Sequence, residues 1–215
     1  MILIVLSGMI SLAVALLCTP LLIKVLSRRN LAQSIRESGD GIVYPEHSSK
    51  RGTPSMGGLE IVGAVVLGYG GAHLLRWTWP TASGLLALYL MVGLSMVGFA
   101  DDYLKVFKSR SGGIRARTKL LGQAAVALSF AYLATRFPDE NGVTPASEAI
   151  SAVRDLAWTL PAGLFLLWIW FLVTAITNVV NLTDGLHRLP AGAATLPFGG
   201  FPLIGVWQHG PHSPA

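Results

Sequence analysis

Apolar positions along this chain fall into long blocks separated by short charged stretches. Residues 1–23 carry no charge before Lys24, and residues 56–75 carry only Glu60. Residues 77–100, 120–135 and 156–183 carry none. Blocks of this length read as membrane spans rather than as faces of a water-soluble core. A further uncharged stretch, 189–208, holds Pro190, Pro197 and Pro202 together with four glycines, which makes it a broken sixth. Lipid cannot satisfy backbone polar groups, and the alternation expected of a membrane barrel is absent, so the spans are helices. The pattern predicts an all-α polytopic integral membrane protein with five transmembrane helices and an irregular sixth. No repeat, low-complexity tract or linker divides it, so residues 1–215 read as a single membrane domain.

Composition agrees with that pattern. Hydrophobic residues are 52% of the 215 and charged residues 13%, against about a quarter charged in a soluble domain. The first block lacks a positive n-region, is too long for a typical h-region and has no A-x-A site, which predicts an uncleaved first helix. Cys18 is the one cysteine, so no internal disulfide can form.

Charge sets the orientation. Lys24, Arg28, Arg29, Arg36, Lys50 and Arg51 lie in one segment; Lys105, Lys108, Arg110, Arg115, Arg117 and Lys119 lie in a second; Arg188 follows the fifth block. Only Arg76, Arg136 and Arg154 fall on the other side. The positive-inside rule therefore predicts an N-terminus outside and the three basic segments in the cytoplasm. The net charge of +5 needs only anionic membrane lipid as its partner, and no nucleic acid. The turn-rich stretch 137–159 is placed outside and assigned no function.

Three clusters on the predicted cytoplasmic side could carry chemistry. The first runs from His47 to Gly58 and includes Lys50, Arg51, Thr53 and Pro54. Thr53 suits an N-cap and Pro54 a first helical position, so a helix start would face the cytoplasm beside two cations. That is a natural phosphate site, or else an ordinary capped helix. The second cluster, Gly98 to Lys105, places Asp101 and Asp102 side by side at the end of an uncharged run. Neighbours on a helix point about 100° apart, so one carboxylate could meet a cation while the other handles a proton. Asp101 can pair with Lys105, four positions on; the plain alternative is a solvated helix end. Glu60, one turn inside the second span, is a weaker case. The third cluster spaces Asn178, Asn181 and Asp184 by three, a polar stripe at the end of a very apolar helix. Oxygen donors on one stripe suit Mg²⁺; helix-terminal capping is the alternative. Together the clusters fit Mg²⁺-assisted phosphoryl transfer at a membrane surface, where catalysis is positioning and charge neutralisation.

The strings H-S-S-K-R-G-T-P-S-M-G-G, G-F-A-D-D-Y-L-K and N-V-V-N-L-T-D-G-L closely resemble those of the bacterial phospho-N-acetylmuramoyl-pentapeptide transferases. Their order and spacing match over about residues 1–208. The wider superfamily of polyprenyl-phosphate N-acetylhexosamine-1-phosphate transferases shares the double Asp. The resemblance implies a multi-pass protein of the bacterial inner membrane with its active face in the cytoplasm. It implies transfer of phospho-N-acetylmuramoyl-pentapeptide from its uridine diphosphate carrier to undecaprenyl phosphate, giving lipid I with Mg²⁺ as cofactor, and it allows a homodimer. By motif, Asp101, Asp102 and Asp184 are the essential acids, with Asp101 the candidate for deprotonating the lipid phosphate. Replacing any of them by Asn is expected to abolish most synthesis. Substrate-binding residues would be His47, Lys50, Thr53, Lys105, Asn181, Gly185 and Leu186, and metal donors Asn178 and Asp184.

The resemblance is incomplete. The family reads N-L-T-D-G-L-D-G-L-A where this chain has His187 and Arg188 after Leu186, and His187 stands where an Asp is assigned to uracil recognition. A Gly-Asp metal motif and a histidine-rich loop of the family have no match here. The chain therefore reads as the N-terminal two thirds of the fold, truncated or divergent, and as written it is expected not to catalyse the transfer. Two rival readings are a related transferase using another uridine diphosphate sugar, and a non-catalytic membrane fragment that associates with cell-wall machinery.

Overall fold

The computed structural model describes residues 2–28, 57–107, 113–138, 142, 144–151, 155–183, 194–201 and 203. Five helices follow in order: α1 (Ile2–Arg28), α2 (Gly58–Arg76), α3 (Ala82–Phe107), α4 (Ala116–Ala134) and α5 (Ala162–Thr183), with a strand pair, β1 (Ala149–Ser151) and β2 (Asp155–Thr159), before the last. The chain divides into two compact units, Met1–Trp170 and Phe171–Ala215. The second holds the last turns of α5 and a helical stretch at 194–201. The protein is an all-α membrane protein apart from its short hairpin.

Among the described residues, four helices are long and apolar enough to cross a membrane: α1, α2, α3 and α5. The fourth expected span, α4, forms over 19 residues, about 28 Å at 1.5 Å per residue. It falls short in apolarity because it opens on Arg117 and Lys119 and carries a buried Gln123. Two expected boundaries move. Residues 77–81 precede α3 rather than belonging to it, since Pro80 cannot donate within a helix. Residues 155–159 form β2, and α5 begins just after Pro161.

In the first unit, α1 packs along α2, α3 along α4, and α2 meets α3. The contacts are made mostly by small residues. Ala64, Gly68 and Ala72 recur every fourth position on α2, and Gln123, Ala127 and Ala131 do so on α4; all are buried. Apolar bulk gains little by leaving lipid, so close backbone approach and buried polar contacts replace the hydrophobic effect as the packing drive. Conversely Leu16, Leu17, Leu67, Leu121 and Phe171 are exposed, as lipid-facing side chains should be. Trp77, Trp79 and Trp158 are the most exposed of the aromatics near the helix ends, which suits an interfacial belt.

α2 ends on Trp77 in the left-handed region, φ 48°, its N–H returned to His73 and Leu74 carbonyls. His73 is buried within this turn. Its Nδ1 lies 3.1 Å from the Thr78 carbonyl oxygen, and its ring stacks obliquely 4.5 Å from Tyr69. The hairpin is antiparallel, pairing Ala149 with Thr159 and Ser151 with Asp155 across an irregularity. Leu160 N–H donates to Glu148 at 2.8 Å, and Ala146 N–H to Ala134 at 3.1 Å, tying the hairpin to the end of α4.

Candidate active site

The last two turns of α3 carry Asp101, Asp102 and Lys105, and helical geometry separates the two carboxylates. Asp101 is only 6% exposed. Its Oδ2 lies 2.6 Å from Lys105 Nζ, the expected i, i+4 pair, and its Oδ1 accepts the Ile114 N–H at 2.7 Å. The charge of Lys119 on α4 also acts on it. Asp102 points elsewhere. Its side chain is 42% exposed and stands 3.7 Å from the same ammonium. With Leu59 and Val62 of α2 and Val92, Ser95 and Phe99 of α3, it lines an apolar groove of about 320 Å³. One lysine thus serves two acids in different surroundings: one internal, one open to a groove.

Glu60 also proves to be engaged. It is half-buried on the first turn of α2, and Thr19 of α1 lies 2.5 Å from its Oε1. That contact crosses 41 positions of chain, so position along α2 alone could not reveal it.

Asn178 and Asn181 lie on α5, which remains helical through Thr183, so their spacing of three keeps them on one face. Asn178 donates its side-chain amide to the Thr174 carbonyl at 2.8 Å. Asn181 is exposed. Asp184, Gly185 and Leu186 lie outside the described residues, as do His47, Lys50, Thr53 and Pro54. The described part of α2 starts at Gly58, with Gly57 at the cap position and no side-chain cap. Among the described residues, no three of His, Cys, Asp or Glu gather closely enough to hold a metal ion. Among them, Asp102 is the one carboxylate residue lining the groove, and Mg²⁺ commonly takes one or two carboxylates plus substrate phosphate.

Ile114, Gly113 and Lys119 complete the surroundings of Asp101 and were not singled out from the sequence. The signal available was Gly112-Gly113 before a new helical block, a turn marker with no indication of what the turn would touch.

Comparison with known proteins bears on the same region. Residues 84–214 match glycosyl transferase family 4. The chain is 48% identical to a phospho-N-acetylmuramoyl-pentapeptide-transferase of Streptomyces avermitilis over 202 residues, 94% of this chain and 56% of the relative. A Pseudarthrobacter chlorophenolicus protein of the same name is 48% identical over 93% of this chain and 58% of its own length. One from Frankia alni is 46% identical over 96% and 57%. The chain spans a little over half the length of these relatives.

Proposed function

Because the chain belongs to glycosyl transferase family 4, we propose that it serves phosphoryl transfer at the cytoplasmic face of the bacterial inner membrane. The donor is uridine-diphosphate-linked N-acetylmuramoyl-pentapeptide and the acceptor undecaprenyl phosphate; the products are lipid I and uridine monophosphate. The observation that carries this reading is the acid pair at the end of α3, one carboxylate internal and one facing a groove, with Lys105 reaching both. It is supported by the name shared by relatives about 48% identical.

Each residue then has a task. A carboxylate of the pair accepts the proton of the lipid phosphate, which is useful only where the acid meets substrate. Lys105 offsets the negative charge of the two aspartates, so that an anionic phosphate can approach them. His47, Lys50 and Thr53 supply donors to phosphate ahead of α2, and Asn181, Gly185 and Leu186 contact the nucleotide. Asn178 and Asp184 offer oxygen ligands to Mg²⁺, which when bound would neutralise phosphate charge.

The test is release of uridine monophosphate by the protein made from its complete reading frame, with both substrates and Mg²⁺. Release that requires both substrates and disappears with chelator supports the assignment; no release would sink it. Because His187 and Arg188 stand where the resemblance expects Asp and Gly, a different sugar nucleotide is the second reading. Competition between donors separates the two.

A further inference from the structure

On α3 the lining of the groove begins at Val92 and finishes at Asp102, about 15 Å along the axis at 1.5 Å per residue. Its two limits differ in chemistry. Val92 lies within the span, whereas Asp102 stands 3.7 Å from the Lys105 ammonium. Between them the wall is hydrocarbon apart from Ser95, whose hydroxyl donates to the Met91 carbonyl of its own helix at 2.6 Å. An occupant is therefore asked for no hydrogen bond along that length. Leu59 is 54% exposed and Met96 68%, so among the described residues the groove has an open flank facing lipid.

Two glycines mark unfilled space in the same walls. Gly58 and Gly98 both line the groove, and a Cβ built at either meets nothing within 4 Å. Gly93 and Gly122 are different: a Cβ there would stand 2.7 Å from Val126 Cγ1 and 3.1 Å from Val97 Cγ2. The latter pair lets α3 and α4 approach each other. The former leaves room that no described part of the chain takes up. Charge at the acid end suits an anionic head, because Lys105 reaches both aspartates and the charge of Lys119 also acts on Asp101. Two ammonium groups thus stand against two carboxylates.

We propose that the groove between α2 and α3 receives the prenyl chain of the acceptor, its isoprene units nearest the phosphate lying from Phe99 towards Val92. The proposal rests on the transferase reading above and adds where the acceptor's chain lies and from which side it enters. An apolar chain gains little by leaving lipid for protein, so the groove orients the acceptor more than it attracts it. Orientation is what the reaction needs, since a small misplacement of a reacting group costs about 10²-fold.

The experiment uses the protein from its complete reading frame and has two arms. In the first, a prenyl phosphate with a diazirine on an isoprene unit near the phosphate is bound in micelles and irradiated. Adducts should map to Val62, Val92 or Met96, and unlabelled undecaprenyl phosphate should suppress them while phosphatidylglycerol does not. Adducts confined to other helices would overturn the proposal. Suppression by phosphatidylglycerol as well would make the groove an ordinary lipid site and overturn it too.

The second arm is kinetic. Gly98→Leu and Val92→Trp fill the groove near its acid end and at its far limit; Gly70→Leu fills open space elsewhere on α2 and serves as control. Each groove variant should lower kcat/KM for undecaprenyl phosphate by about 10–100-fold, with KM for the sugar nucleotide unchanged. For an acceptor carrying a single isoprene unit, Val92→Trp should be without effect, because that chain ends short of Val92. Equal losses with the long and short acceptors would show a packing defect and overturn the chain site. A parent that transfers nothing defeats the transferase reading instead, and the crosslinking arm, which needs no turnover, still decides the groove.

Discussion

Thr19 Oγ1 lies 2.5 Å from Glu60 Oε1, joining the second half of α1 to the first turn of α2 across 41 positions of chain. The same hydroxyl lies 2.7 Å from the Ala15 carbonyl of its own helix. Polar contacts between membrane helices contribute about 0.6 kcal/mol on average and at most about 1.7. Thr19→Val should therefore destabilise the protein by an amount in that range, read as resistance to unfolding in mixed micelles. Thr19→Ser, which keeps the hydroxyl, should stay close to the parent. Equal losses for Val and Ser would show that packing rather than the hydroxyl is at work.

Gly68 makes a sharper test of the same interface. A Cβ there would strike Ser11 Oγ and lie 2.7 Å from the Ser7 carbonyl oxygen and 2.8 Å from Ser11 N. Backbone cannot yield as a side chain can, so Gly68→Ala should push α1 from α2 and cost about 1–3 kcal/mol. Gly63 and Gly70, on the same helix, have open space at the equivalent position. Alanine at either should be neutral or slightly stabilising through helix propensity. A tolerated Gly68→Ala would mean that the two helices are not in this register.

The candidate acids come next. Asp102→Asn and Asp184→Asn should each remove most lipid I synthesis while insertion into the membrane is unchanged, because Asn keeps shape without the anionic oxygen that a proton or Mg²⁺ requires. Quantifying membrane-bound protein alongside product separates lost chemistry from lost protein. Near-parental turnover in both would return the two residues to helix-end decoration.

Orientation can be read by labelling. With Cys18→Ala as background, a cysteine at the exposed Arg115 should react with an impermeant thiol reagent only after the membrane is opened. One at Trp79, 92% exposed, should react in intact cells. The thirteen-to-three division of basic residues motivates this assignment. Labelling of position 115 from outside would reverse the cytoplasmic placement of the acid pair.

Helix existence was legible because membrane spanning is a property of local composition. The uncharged blocks around Leu12, Val65, Leu90 and Phe171 had to become helices in lipid, wherever their neighbours lay. The Asp101–Lys105 pair was legible for the same reason, since a spacing of four is settled by one helix alone. Boundaries such as Ala82 and Ala162 were blurred because an apolar residue reads alike inside a span or just beyond it. The strands at 149–151 and 155–159 were missed because a short hairpin depends on what it pairs with. What only tertiary structure decided were the contacts between distant segments: Thr19 against Glu60, Gly68 against Ser11, and Ile114 on Asp101 with Gly113 packed over the lysine. Sequence already turned the two adjacent aspartates to different sides of one helix and put Asp101 within reach of Lys105. The turn that closes from the start of α4 adds the second contact on Asp101, so that its two oxygens meet Lys105 and the Ile114 N–H.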